Sequence, residues 1–153
     1  MKIGVVPNLD RAAGGVYQYA VTMLGALADL GTDDEFVVFA YAGDEVPQDL
    51  PLPGPVVELR RSAGPLGALG AVAARVVHSG DGVDGAWRAF FARFGIDLLL
   101  FTADNDLAAV TGVPYVVAIH DIQHRLHPEF PEVSEDGEWQ RREERLIPLI
   151  AGA

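Results

Sequence analysis

Short, continuous apolar runs alternate along this chain with segments whose apolar residues recur every three or four positions. The runs are Lys2–Pro7, Glu35–Tyr41 (EFVVFAY), Asp97–Phe101 (DLLLF) and Pro114–His120, with Val56–Arg60 as a further strand. A strand wetted on one face alternates polar and apolar residues, and these runs do not. They fit strands covered on both faces, the condition of a parallel sheet with helical crossovers. Right-handed crossovers then predict an α/β fold, a doubly wound Rossmann-like parallel sheet of about five strands with helices on both faces.

The helices follow from spacing. Val16, Ala20, Met23, Leu24, Leu27 and Leu30 place one apolar face on Gly14–Leu30, with Gly31 as its stop. Leu66–Val77 and Gly85–Phe94 read as two more helices, separated by a loop at 78–82. Leu107–Val110 reads as a helical turn. The segment from Asp121 to Val133 reads as a loop. A last helix is expected from Ser134 to Ile150, with Ser134 as N-cap, acids in its first turns and Pro148 as a kink or stop.

Composition removes other options. The 153 residues suit one domain, and none is cysteine, so disulfide frameworks, thiolate metal sites and cysteine nucleophiles are excluded. Acidic side chains number 22 against 11 basic ones, a net charge of −11, which argues against nucleic acid as a partner. The opening apolar run is too short for a signal-peptide core. The low-charge stretch Ser62–Val77 falls short of the ~20 residues that a bilayer span needs. The expected location is the cytoplasm.

In sheets of this kind, ligands bind at the carboxyl ends of the strands. That rule selects the loops Asn8–Gly15, Thr102–Asp106 and His120–Pro131. The first ends in Gly14-Gly15 at a helix N-terminus, where bare backbone N–H groups suit a phosphate or a sugar hydroxyl. It lacks both GxGxxG and GxxxxGK[ST], so a dinucleotide cofactor and a P-loop are not indicated. A tight strand-to-helix turn explains the pair equally well. Gly64, Gly67 and Gly70 read as packing or loop glycines.

The richest segment runs from His120 through Asp121, His124, Arg125 and His127 to Glu129, with three of the four histidines in eight residues. A metal site on His120, Asp121, His124 and His127, as in a metal-dependent hydrolase, is one reading. The segment follows a strand and carries Pro128 and Pro131, so it lacks the helix that aligns ligands four apart. A polar loop with incidental histidines is another reading. A third is an imidazole at the strand tip that bonds a substrate hydroxyl or a developing charge.

The block VPYVVAIHDIQHRLHPEFP, followed by EWQRREERLIPLIAGA, resembles the family 4 nucleotide-sugar glycosyltransferases. So does the opening KIGVVPNLDRAAGGVYQYAVTMLGAL. Those enzymes face two Rossmann-like domains across a cleft, the GT-B arrangement, and the resemblance covers 1–153 as the N-terminal, acceptor-side domain. It implies that Gly14 and Gly15 lie near the donor's phosphates and sugar. His120 would contact a hydroxyl of that sugar or support charge at the reacting carbon, and Asp121 would orient the loop. Tyr17, His124, Arg125 and Glu129 become acceptor-side candidates, with Asn105 and Asp106 as weaker ones.

The resemblance implies sugar transfer with retention, no metal and no cofactor beyond the nucleotide-sugar substrate, and a carbohydrate or lipid-linked acceptor. It also implies that the chain stops one strand short of its domain and lacks the donor-binding C-terminal domain. The expectations are therefore little turnover alone and a partner chain that supplies the second domain. Self-association through the apolar end of the last helix, and a peripheral place at the inner membrane face, are also expected. A non-catalytic sugar- or nucleotide-binding module is the competing reading. Glu135 and Glu143 match the eight-residue spacing of the glutamate pair in the family's second domain, but they read as part of a solvated, salt-bridged helix face.

Overall fold

The computed structural model describes residues 1–59 and 82–153. The expected helix at 66–77, most of the loop at 78–82, Gly64, Gly67 and Gly70, and the end of the third strand at Arg60 lie outside them.

Five strands form one all-parallel sheet: β1 (Lys2–Val6), β2 (Glu35–Tyr41), β3 (Val56–Leu59), β4 (Leu98–Phe101) and β5 (Tyr115–Val117), in the order β3-β2-β1-β4-β5. The chain fills one side of β1 with β2 and β3, then returns to the other side with β4 and β5. Register is set by pairs such as Gly4 with Val37 and Gly4 with Leu99. The order reverses at β1 and β4, and the loops leaving these two strands diverge there.

Alternation of side chains along each strand divides the core in two. Val5, Val38 and Ala40 pack on one face with Leu24 of α1 (Gly15–Ala28). Val6, Val37, Phe39, Leu99, Phe101 and Tyr115 pack on the other. There they meet Phe91 of α2 (Gly82–Ala92), and Leu146 and Leu149 of a C-terminal helix described below. Phe39 and Phe91 meet edge to face at 5.1 Å. The continuous apolar runs thus serve two cores, one on each face. Gly4 has a steric reason: a Cβ there would sit 2.8 Å from both Leu99 and Phe39.

Several boundaries differ from expectation. α1 ends at Ala28, and Leu30 is exposed. β5 stops at Val117, so His120 lies three residues beyond it in irregular chain. The segment after Asp121 is not a plain loop, since it holds α3 (Gln123–Leu126) and α4 (Pro131–Ser134). The last helix, α5 (Glu138–Ala151), starts after a 3-10 turn. Its N-cap is Gly137 in the left-handed region (φ 74°), not Ser134, whose hydroxyl donates to the Phe130 carbonyl instead.

Pro148 neither stops nor ends α5. Proline removes one helical hydrogen bond, that to the carbonyl four residues back. That residue is Glu144, which is exposed, so water can take the bond's place. The Tyr115 hydroxyl donates to the Leu149 carbonyl at 2.8 Å and fastens the helix to β5.

Candidate functional site

The carboxyl ends of β1, β4 and β5 meet at Thr102. Its hydroxyl accepts from the Asn8 N–H at 2.9 Å, and its carbonyl lies 2.7 Å from His120 Nε2. Thr102 itself is buried. A carbonyl only accepts, so Nε2 carries the proton, and Nδ1 of the neutral ring is then an acceptor. The His120 ring meets Tyr19 of α1 edge to face at 4.8 Å. His120 is exposed, and Nδ1 has no partner among the described residues.

The β1–α1 loop is built locally. Asp10 accepts from the Ala12 N–H through its side chain and starts a 3-10 turn over Arg11–Ala13. Gly14 then takes φ 57°, ψ −111°, a conformation open to glycine at little cost. No side chain caps α1, and its first N–H groups have no intrahelical partner. A Cβ at Gly14 or Gly15 would meet nothing within 4 Å, so the approach to these groups is open. Tyr17 is half-buried beside the Leu24 core, with the Arg11 guanidinium 5.9 Å from its ring centre.

The segment after His120 is tied down by α5. Asp121 accepts from the Gln123 N–H at 2.6 Å and from Arg142 at 2.8 Å. The Gln123 N–H first, and Arg142 after it, hold its carboxyl below the ordinary range. His124 is fully buried, with Nε2 2.6 Å from Glu143 Oε1 and its ring 6.1 Å from that of Trp139. Arg125 clamps the same carboxylate with both arms, at 2.5 and 2.7 Å. Arg125 chiefly, with His124 assisting, pulls the Glu143 carboxyl down to about 2.

Two expectations are corrected here. Glu143 is not part of a solvated helix face. It is buried, and it is the hub that joins α5 to α3. Glu135, by contrast, is exposed. His124 is enclosed and presents no surface to an acceptor in this conformation. Arg125 remains partly exposed with its charge committed to Glu143. Glu129 is exposed and bonds His127 at 3.1 Å, and His127 stacks on Phe130.

Asn105 exchanges hydrogen bonds with the Tyr41 hydroxyl and so braces the β2 and β4 ends, while Asp106 is exposed. Arg145 of α5 pairs with Asp104 in the same loop. His120, Asp121, His124 and His127 do not converge: among the described residues no three histidine, aspartate or glutamate side chains are grouped to hold a metal ion. An open recess of about 440 Å³ lies between α4 and α5, lined by Pro131, Glu132, Glu135, Asp136, Glu138 and Arg141, and none of the candidate residues borders it.

The sequence points to the loop that starts at Thr102 but singles out neither this residue nor Tyr19, and it marks Glu143 only as a solvated helix residue. Tyr19 lies four residues after Gly15, which puts it over the same side of the first helical turn. Glu143 lies amid charges on a helix, and no local pattern marks it as the buried one. Among the described residues, no helix is long and apolar enough to cross a membrane. Comparison with protein-family models, curated proteins and solved structures returns no match for this chain.

Proposed function

We propose that this chain is the acceptor-side half of a retaining glycosyltransferase, which moves a sugar from a nucleotide-sugar donor to a carbohydrate or lipid-linked acceptor. A second Rossmann-like domain would supply most donor contacts. The observation that carries the reading is the pairing of His120 with α1. An exposed imidazole with a free acceptor nitrogen stands against the helix whose uncapped N-terminus follows Gly14. Such a pairing offers a hydrogen-bond acceptor for a sugar hydroxyl and backbone N–H groups for a phosphate. The resemblance of the two sequence blocks that contain these residues supports it independently.

In this reading, Gly14 and Gly15 bear on the donor phosphates and His120 on the transferred sugar. Asp121 acts by holding the loop through Gln123 and Arg142. Tyr17, Arg125 and Glu129 border the acceptor side. Residues 1–153 by themselves should be nearly inactive, because in such an enzyme the cleft that preorganises the transition state forms between two domains.

Calorimetric titration with UDP-glucose and GDP-mannose, with and without an added C-terminal domain of such an enzyme, tests this. The expected result is weak binding to the chain alone, weakened further by His120→Ala, and transfer only in the assembled pair. Absence of nucleotide-sugar binding in both settings would reject the reading. Binding without transfer in the assembled pair would favour a non-catalytic sugar-binding module.

A further inference from the structure

We infer that Thr102 and Tyr19 are positioning residues for His120, holding its ring so that Nε2–H is committed to the protein and Nδ1 is the nitrogen offered to a ligand. The identity of that ligand as a sugar hydroxyl rests on the function proposed above; the fixing of the ring does not. Thr102 is buried and is held from two sides. The Asn8 N–H donates to its hydroxyl, which anchors the tip of β4 to the end of β1 and fixes where its carbonyl points. That carbonyl takes the His120 Nε2 proton at 2.7 Å.

Tyr19 closes the remaining freedom. Its ring meets the imidazole edge to face at 4.8 Å, with the planes at 76°. A 180° flip of the ring would put Cε1 in the place of Nε2 and lose the bond to the carbonyl. The hydrogen bond disfavours that flip, and the Tyr19 contact restricts rotation toward it. A neutral imidazole so held accepts from a hydroxyl and repels an anionic oxygen. Two neighbouring elements thus divide one ligand by chemistry, His120 taking a hydroxyl donor and the α1 N-terminus the anionic part.

Proton–nitrogen correlation spectra of the full chain test this directly. The spectra are recorded at roughly pH 8.5, about two units above the ordinary histidine value. His120 signals are identified by their loss in His120→Gln. The expected result is a visible, exchange-protected Hε2 proton on His120, with a cross-peak to the Tyr19 ring. Tyr19→Phe and Thr102→Ser should keep it, and Tyr19→Leu and Thr102→Ala should lose it. Tyr19 is exposed, so the Tyr19 pair remains informative even if Thr102→Ala fails to fold.

An Hε2 that exchanges freely in the unaltered chain, or a proton found on Nδ1, overturns the inference. So does an Hε2 that survives in Tyr19→Leu or in a folded Thr102→Ala. The two nucleotide sugars separate the two claims. A protected Hε2 with no Nδ1 response to UDP-glucose or GDP-mannose, with or without the added C-terminal domain, rejects the proposed function and upholds the positioning. A freely exchanging Hε2 rejects the positioning whether or not UDP-glucose binds.

Discussion

His120 and His124 stand four residues apart and in opposite circumstances. His120 is exposed, bonded through one nitrogen to a backbone carbonyl. His124 is fully enclosed, bonded to a carboxylate that also holds Arg125. The difference is a division of labour within one segment. The buried histidine fastens α3 to α5 through Glu143 and so anchors the chain that directly follows the exposed imidazole. The Gly14 loop is a third circumstance, turned by its own backbone and the Asp10 side chain and tied to the rest of the molecule at Asn8, which donates to Thr102.

Alanine substitution breaks the comparison most sharply. His124→Ala empties a closed position and strips Glu143 of one donor, so a stability loss of about 3 kcal/mol is expected. His120→Ala forfeits one hydrogen bond near the surface and should cost about 1 kcal/mol or less. Urea unfolding of both variants measures this, and equal losses would erase the distinction between the two histidines.

Acid is the next lever. The Glu143 carboxyl lies near 2, against an ordinary value of 4.5, mainly because of Arg125. A carboxyl lowered by folding contributes stability that is complete above its unfolded value and lost as the pH falls through its folded one. Unfolding midpoints should therefore decline between pH 4.5 and about 2, and decline less in Glu143→Gln. Asp121 and Glu138 are lowered too and add in the same direction, so the variant should flatten the decline without abolishing it. An unchanged slope would mean that the clasp is not ionic in solution.

The two glycines give the smallest effects and sharpen the contrast with the clamped segment. Gly14→Ala forces a side chain into a positive-φ conformation and should cost about 1–2 kcal/mol. Gly15→Ala sits at the first helical position with open space beside it and should change stability by less than about 0.5 kcal/mol. Thermal melts of the pair decide this. A large loss at Gly15 would mean that the loop is constrained by more than its own backbone.

The sheet was legible because its evidence is local. Runs such as EFVVFAY carry their own two-sided burial, and all five strands lie within a few residues of where the runs predict them. The strand-end rule points to three loops, and Thr102 and His120 fall inside two of them. The clasp was not legible. A glutamate among Glu138, Arg141, Arg142, Glu144 and Arg145 looks solvated, and only the approach of α3 from 18 residues away buries Glu143. Ser134 failed as a cap for a related reason, since the chain turns at Gly137 and starts its helix there. Side-chain identity fixed the elements, whereas meetings between distant elements fixed the roles.

The central position of β1 has a consequence for how the chain assembles itself. On one side β1 pairs with β2, close in sequence; on the other it waits for β4, and the bond from the Lys2 N–H to the Asp97 side chain spans 95 residues. Contacts over such separations form slowly, because a long loop must close before they reward it. A growing chain therefore carries β1 with one edge bare until the second half has emerged. The candidate site straddles that seam, so it cannot form before β1 meets β4 and Asn8 reaches Thr102, 94 residues away.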